Sequence, residues 1–212
     1  MTIAPFSSDK ELISFATKFF KEKTVSFRKD VNICLTADAN RTHAYFPTLL
    51  LCIGFLDLLS GLYAGKLEHH GLPELQKYAK RFLKAGHYDP LCLEILYLAF
   101  RHKLAHPSVP YLDFDTATKP KHSGPRRRIT WRVNAGRRTP PIEIIDLVPR
   151  LMKRSLRPWD VQYDARIIIG LRSLQIDIVK SIYDPTGFFK YLKKDGVARA
   201  HFAKCMKVLY PP

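Results

Sequence analysis

The stretch Phe46–Gly65, FPTLLLCIGFLDLLSGLYAG, decides between two folds. It is nearly apolar and close to the length that spans a bilayer. Asp57 stands in its middle, with Gly54, Ser60 and Gly61 nearby. A carboxylate at that depth costs roughly 2.5–3.5 kcal/mol on insertion scales. The segment therefore reads as the central helix of a helical bundle, with Pro47 in its first turn and Gly65 at its end, and no membrane span is expected.

Helical spacing continues on both sides of it. Ser8-Asp9-Lys10-Glu11 has the form of a capping box, followed by Leu12, Phe15, Phe19 and Phe20. A helix is expected from about Asp9 into the twenties; the pattern leaves open whether it resumes through Cys34. Ala37–Asn40 reads as a loop. Gly71–Glu74 starts a helix carrying Leu75, Tyr78, Phe82 and Leu83 and ending at Gly86. Asp89-Pro90 caps another, running through Leu93, Leu96, Tyr97, Phe100 and Leu104, with Pro107 and Pro110 stopping it. Val161–Tyr183 reads as a long helix with Ile167, Leu171, Leu174 and Ile178 on one face. Asp184–Gly187 breaks it, and Lys194–Leu209 forms a last helix. Phe15, Phe19, Phe20, Phe188 and Phe189 are expected in the core. Arg199-Ala200-His201 reads as surface.

The texture changes between these blocks. Residues 107–128 are rich in Pro, Thr, Lys and Ser. Ile129–Val133 alternates like a strand, Asn134-Ala135-Gly136 signals a turn, and Ile142–Ile145 suits a partner strand. The expected architecture is mainly α: one domain over 1–212, a helix bundle with a basic loop or β-hairpin insertion around 108–145. Its 212 residues, 46% hydrophobic and 25% charged, can bury a core without staples.

Charge is unevenly spread. The net charge is +16, and residues 116–142 hold 8 basic residues and no acidic one, half of the excess. These are Lys119, Lys121, Arg126, Arg127, Arg128, Arg132, Arg137 and Arg138. Such a cluster suits a nucleic-acid arm that grips phosphates without reading sequence, or a solvated loop. Trp131 and Tyr111 would stack on bases or anchor the insertion on the bundle. Cys34, Cys52, Cys92 and Cys205 are scattered, with no C-x-x-C pair, and read as reduced core thiols. Met1–Pro5 lacks the basic start of a secretory signal, so a reducing, cytoplasmic location is expected.

The chemistry-bearing stretch is Arg101-His102-Lys103-Leu104-Ala105-His106. A histidine at a helix C-terminus is favoured in its cationic form and can move a proton near neutral pH without a metal. Arginine stays charged and grips a phosphate bidentately. Together they suit attack of an RNA 2′-hydroxyl on its adjacent phosphate. Two other readings stand beside this one. Arg101 and His106 would cap the helix and pair with Asp113 or Asp115, or His102 and His106, spaced i and i+4, would hold a metal with ligands such as His43, His69 or His70. The two-histidine match lacks the glutamate of H-E-x-x-H, and no metal or other cofactor is expected.

The run Leu96–Pro107, LYLAFRHKLAHP, resembles the R-x4-6-H motif of HEPN-like proteins, with His102 as the polar residue that often follows the arginine. The apolar helix around Leu49–Tyr63 and the amphipathic helix Pro73–Lys84 are similar in order and spacing to bacterial members. The resemblance covers roughly residues 40–110. It implies an all-α bundle, commonly a homodimer, in which two motifs meet to form a metal-independent endoribonuclease site. Carried over, His106 is the acid/base, Arg101 the phosphate residue and His102 an auxiliary polar group. Some relatives only bind RNA, nucleotides or a partner protein, so a non-catalytic binding module with RNA or a cognate protein as partner is the alternative. The long middle insertion departs from a minimal core of this family.

Overall fold

Helix α1, Asp9–Leu35, is a single 27-residue helix with no proline or glycine to interrupt it. It therefore runs straight through Cys34. Leu12, Ala16, Phe20, Thr24, Phe27, Val31 and Leu35 recur at three- and four-residue steps and are all buried, with Phe19 beside them. Ser8 caps the helix by accepting from the Glu11 N–H at 3.2 Å. The Glu11 carboxylate reaches back to Ser7 rather than to the cap residue, accepting from its N–H and hydroxyl at 2.7 Å each. The computed structural model describes residues 6–36, 44–68, 71–101, 114–115, 127–147, 151–152 and 161–211.

Helix α2, Tyr45–Ala64, packs against five other elements: α1; α3, Leu72–Phe82; α5, Leu171–Tyr183; α7, Gly196–Leu209; and the Leu96–Arg101 segment. It is long and apolar enough to cross a membrane, and 61% of its most apolar stretch is buried within the protein. Leu49, Cys52, Ile53, Leu56, Leu59 and Leu62 form the centre of the core. Gly65 ends α2 at φ +69°, and a Cβ there would lie 2.8 Å from the His201 ring. That ring is half-buried, with Nδ1 hydrogen-bonded to the Tyr63 carbonyl at 2.8 Å. Arg199, two residues earlier, places Nε 2.9 Å from Asp9. The Arg199–His201 stretch, expected as plain surface, thus ties α7 to α2 and to the start of α1.

Helix α4, Pro90–Ile95, starts at Asp89, whose side chain accepts from the Leu91 N–H at 2.7 Å. The expected α-helix does not continue in that form. Leu96–Arg101 is π-helical, a wider turn packed against α2.

The sheet corrects two expectations. Its strand order is β1 (Phe114–Asp115), β2 (Arg128–Asn134), β6 (Ala165–Gly170), β3 (Ile142–Asp146). β4 (Leu151–Met152) and β5 (Val161–Gln162) form a separate two-stranded ladder. Residues 161–170 are therefore not the first half of a long helix. Ile167, Ile168 and Ile169 are consecutive β-branched residues, all buried, and such a run fits a strand covered on both faces as well as it fits a buried helix. Helix α5 begins only at Leu171. Nor do β2 and β3 form a hairpin. β6 lies between them, parallel to β2 and antiparallel to β3, with Ile167 opposite Trp131 on one side and Ile144 on the other. Seven residues, 135–141, join β2 to β3, which is long for a tight hairpin and enough to step over an intervening strand.

The described strands of the region expected as an insertion, β2 and β3, are thereby built into the core: Ile129 and Ile142 join the same buried cluster as α1, α2 and α5. Trp131 packs edge-on to Phe46 of α2, with ring centroids 5.4 Å apart, the anchoring role. Helix α6, Phe188–Lys194, completes the chain order and buries Phe188 beside Phe20, Tyr78 and Phe82. The fold is mostly helical with one small mixed sheet.

Candidate nucleic-acid interface

Arg101 is the last residue of the π-helical segment. His102 and His106 lie outside the described residues, as do Lys119, Lys121, Arg126, Tyr111, Asp113, His43, His69 and His70. Among the described residues, no three His, Cys, Asp or Glu side chains converge as a metal site would require.

The five described arginines of the basic cluster do not form one arm. Arg127 and Arg128 stand at the start of β2, and Arg137 and Arg138 beyond its far end. A seven-residue strand separates the two pairs by about 20 Å at ~3.3 Å per residue. Arg127 is paired with Asp146, and Arg138 with Glu143. The Arg128 N–H donates to the Asp164 carboxylate at 2.8 Å. Arg132 is exposed midway along β2, and Arg137 is exposed on the turn.

That turn, residues 135–141, sits against the N-terminal part of α5 and separates two clefts. The first, about 670 Å³, lies between α1, the turn and α5, and carries Arg28, Arg137, Arg172 and Lys180. Among the described residues, no carboxylate lines it. The second, about 700 Å³, lies between the end of α3, the turn and the adjoining face of α5. Its lining includes His87, the cations Lys80, Arg81, Lys84, Arg138 and Lys180, and the carboxylates Asp177 and Asp184.

The second cleft holds two polar side chains close to Asp177. His87 Nδ1 is 3.5 Å from Asp177 Oδ2, both side chains being about 15% exposed. The Tyr88 hydroxyl donates to the same oxygen at 3.2 Å. Burial first, and then the Asp177 charge, holds the Tyr88 phenol well above the usual tyrosine range, so it remains a donor near neutral pH. Nε of Arg138 is buried and has no hydrogen-bond partner among the described residues. An oxyanion reaching into this cleft would meet lysine, histidine and arginine donors, the chemistry of a phosphate site.

His87, Asp177, Lys84, Lys180, Arg28 and Arg172 escaped the sequence reading because they are dispersed along the chain. One signal was present: Ser173, Asp177, Lys180 and Asp184 recur at four- and three-residue steps, a polar stripe that flanks the Leu174–Ile178 face of α5 and ends at its C-cap.

Compared with known proteins, the chain matches no family model, no curated protein and no solved structure. The likeness of residues 96–107 to the HEPN motif rests on those residues alone.

Proposed function

We propose that the protein is a metal-independent endoribonuclease of HEPN type, acting in the cytoplasm as a homodimer with Arg101 and His106 at its catalytic centre. The observation that carries this reading is the π-helical turn that ends at Arg101 and packs on the central helix α2. Single π turns recur at functional sites. Arg101, the first residue of the Arg-x4-His run, is the last residue of this one. The mostly helical core and the net charge of +16 suit the same substrate, RNA.

In this mechanism His106 takes the proton from the 2′-hydroxyl. The freed oxygen attacks the adjacent phosphorus, the bond to the 5′-oxygen breaks, and that leaving oxygen takes up the proton from the protonated His106. Arg101 holds the phosphate oxygens as charge builds on them, and His102 assists as a polar neighbour. The products are a 2′,3′-cyclic phosphate and a 5′-hydroxyl. Purified protein incubated with total RNA in excess EDTA should yield such ends, and His106→Ala and Arg101→Ala should not. Cleavage that persists unchanged in both variants would overturn the assignment.

A second reading, a non-catalytic module that holds RNA or a cognate protein, is favoured by the two basic clefts beside α5. It expects salt-sensitive binding without turnover.

A further inference from the structure

We propose that the two clefts flanking α5 form one continuous track for the phosphodiester backbone of single-stranded RNA, which passes over α5 at Lys180. The choice of RNA rests on the function proposed above; the track itself rests on the following geometry.

The clefts adjoin. Ile176 and Lys180 line both of them. Arg137 and Arg138 are consecutive in the chain, yet Arg137 faces the first cleft and Arg138 the second. One turn and one lysine thus carry positive charge across the divide.

The charges are available. Among the described residues, Arg28, Arg137, Lys84 and Lys180 take part in no ion pair, and Arg172 is engaged only by the neutral side-chain oxygen of Asn32. Two carboxylates line the second cleft: Asp177, which accepts from the Tyr88 hydroxyl, and Asp184. Surface lysines and arginines are ordinarily matched by carboxylates; here these five cations and Arg138, which also holds Glu143, outnumber the two, and such an excess attracts a polyanion.

The shape selects the polymer. Each cleft is far larger than one phosphate, and the cations are spread around a helix rather than focused on a point. Ile176 and Val179 provide apolar wall between the cations of the first cleft, where the bases of a flexible strand can lie. A stiff A-form duplex, read across its wide minor groove, does not follow a path that wraps from one concavity into the next around adjoining faces of one helix.

The test is fluorescence anisotropy with a labelled single-stranded oligouridylate, in a His106→Ala background so that the probe survives. With about six phosphate contacts on a single strand, log affinity should fall with log salt at a slope of about −4, roughly 300-fold between about 50 and about 200 mM. Arg28→Ala/Arg172→Ala in the first cleft and Lys84→Ala/Lys180→Ala in the second should each weaken binding at least about tenfold and flatten the slope by roughly 1.4. Lys190→Ala/Lys204→Ala removes the same charge from exposed positions outside the clefts and should change affinity less than about twofold. Circular dichroism checks that each variant is folded. If only one cleft's pair matters, or the control pair matters equally, the track is wrong. Cleavage is scored separately on unsubstituted protein. Cleavage without cleft-dependent binding sinks the track alone, and cleft-dependent binding without cleavage sinks the nuclease reading alone.

Discussion

The backbone N–H of Arg138 donates to the Ser173 hydroxyl at 2.7 Å, fastening the β2–β3 turn to the first turn of α5. A second bond, from the Gly170 N–H to the Pro141 carbonyl at 2.8 Å, pins the other side of the turn to the end of β6. The turn is thus held at both ends of its contact with α5, and this fixes Arg137 and Arg138 above their two clefts. The approach is close enough to exclude any side chain beneath it: a Cβ on Gly170 would lie 2.8 Å from the Arg138 Cβ.

Gly170→Ala should therefore force the turn away from α5. Overpacking of this kind costs about 1–3 kcal/mol, so the urea midpoint should fall while the slope of the transition stays constant. RNA binding should weaken in the same variant without loss of any charge. Ser173→Ala removes the acceptor and should cost about 1 kcal/mol. Two variants as stable as the parent would mean that the turn is not positioned by these contacts.

Stability should also respond to alkaline pH. Burial pushes the Tyr78 hydroxyl well above the ordinary tyrosine value of 10.0, although its bond to Ser181 at 2.8 Å opposes the shift. Tyr88 is raised in the same direction. A group whose folded pKa exceeds its unfolded one holds its proton more tightly when folded. Its contribution is complete below the unfolded value and is lost as pH rises from there toward the folded one. Unfolding free energy set by these tyrosines should be flat below about pH 10 and fall above it. Denaturant titrations at stepped pH read this directly, and a curve that stays level to pH 11 would show that neither phenol is held protonated by the fold. Asp177→Asn should bring the Tyr88 ionisation seen by ultraviolet absorbance to lower pH, since the negative charge beside the phenol is removed.

Sequence periodicity located α1 and α3 because their buried faces are one-sided, Leu12 to Phe20 in the first and Leu75 to Phe82 in the second. Helix α2, apolar on all sides, was located by its length and told from a membrane span by Asp57. Periodicity failed where both readings shared the same residues. Ile167, Leu171, Leu174 and Ile178 are all fully buried and spaced four, three and four apart, so a strand and the helix after it mimic one helix. Gly170, between the two, was the available marker of the junction. Strand order was illegible for a different reason: β2 and β3 look like neighbours until the partner from residues 165–170 is known. The Arg101–His106 run was legible as a motif, whereas the α5 clefts were not, because they join residues from α1, the α3–α4 connection, the turn and α5.

The strand assignment can be tested through Ile167, which is fully buried between Trp131 and Ile144 in the middle of the sheet. Ile167→Ala should destabilise the protein by about 2–5 kcal/mol. Cross-strand nuclear Overhauser contacts between the paired residues Thr130 and Arg166 distinguish the sheet from a helix, which brings no part of β2 alongside residue 166. Their absence in a folded sample would restore the helical reading.

Thiol chemistry probes the bundle independently. All four cysteines are free; Cys52, Cys92 and Cys205 are buried, and Cys34, near the end of α1, is half-exposed. Burial pushes the Cys92 thiol up to about 12 and the Cys205 thiol up to about 11, and raises Cys52 further still. The thiolate is the reactive form, so these three groups are both shielded and protonated near neutral pH. A chromogenic disulfide reagent should label one thiol promptly in the native protein and all four in denaturant. Cys34→Ser should remove the prompt phase and leave the slow ones unchanged. Prompt reaction of a second thiol would mean that α2, α4 or α7 opens on that timescale, and the variant that abolishes the extra phase would identify which of them does.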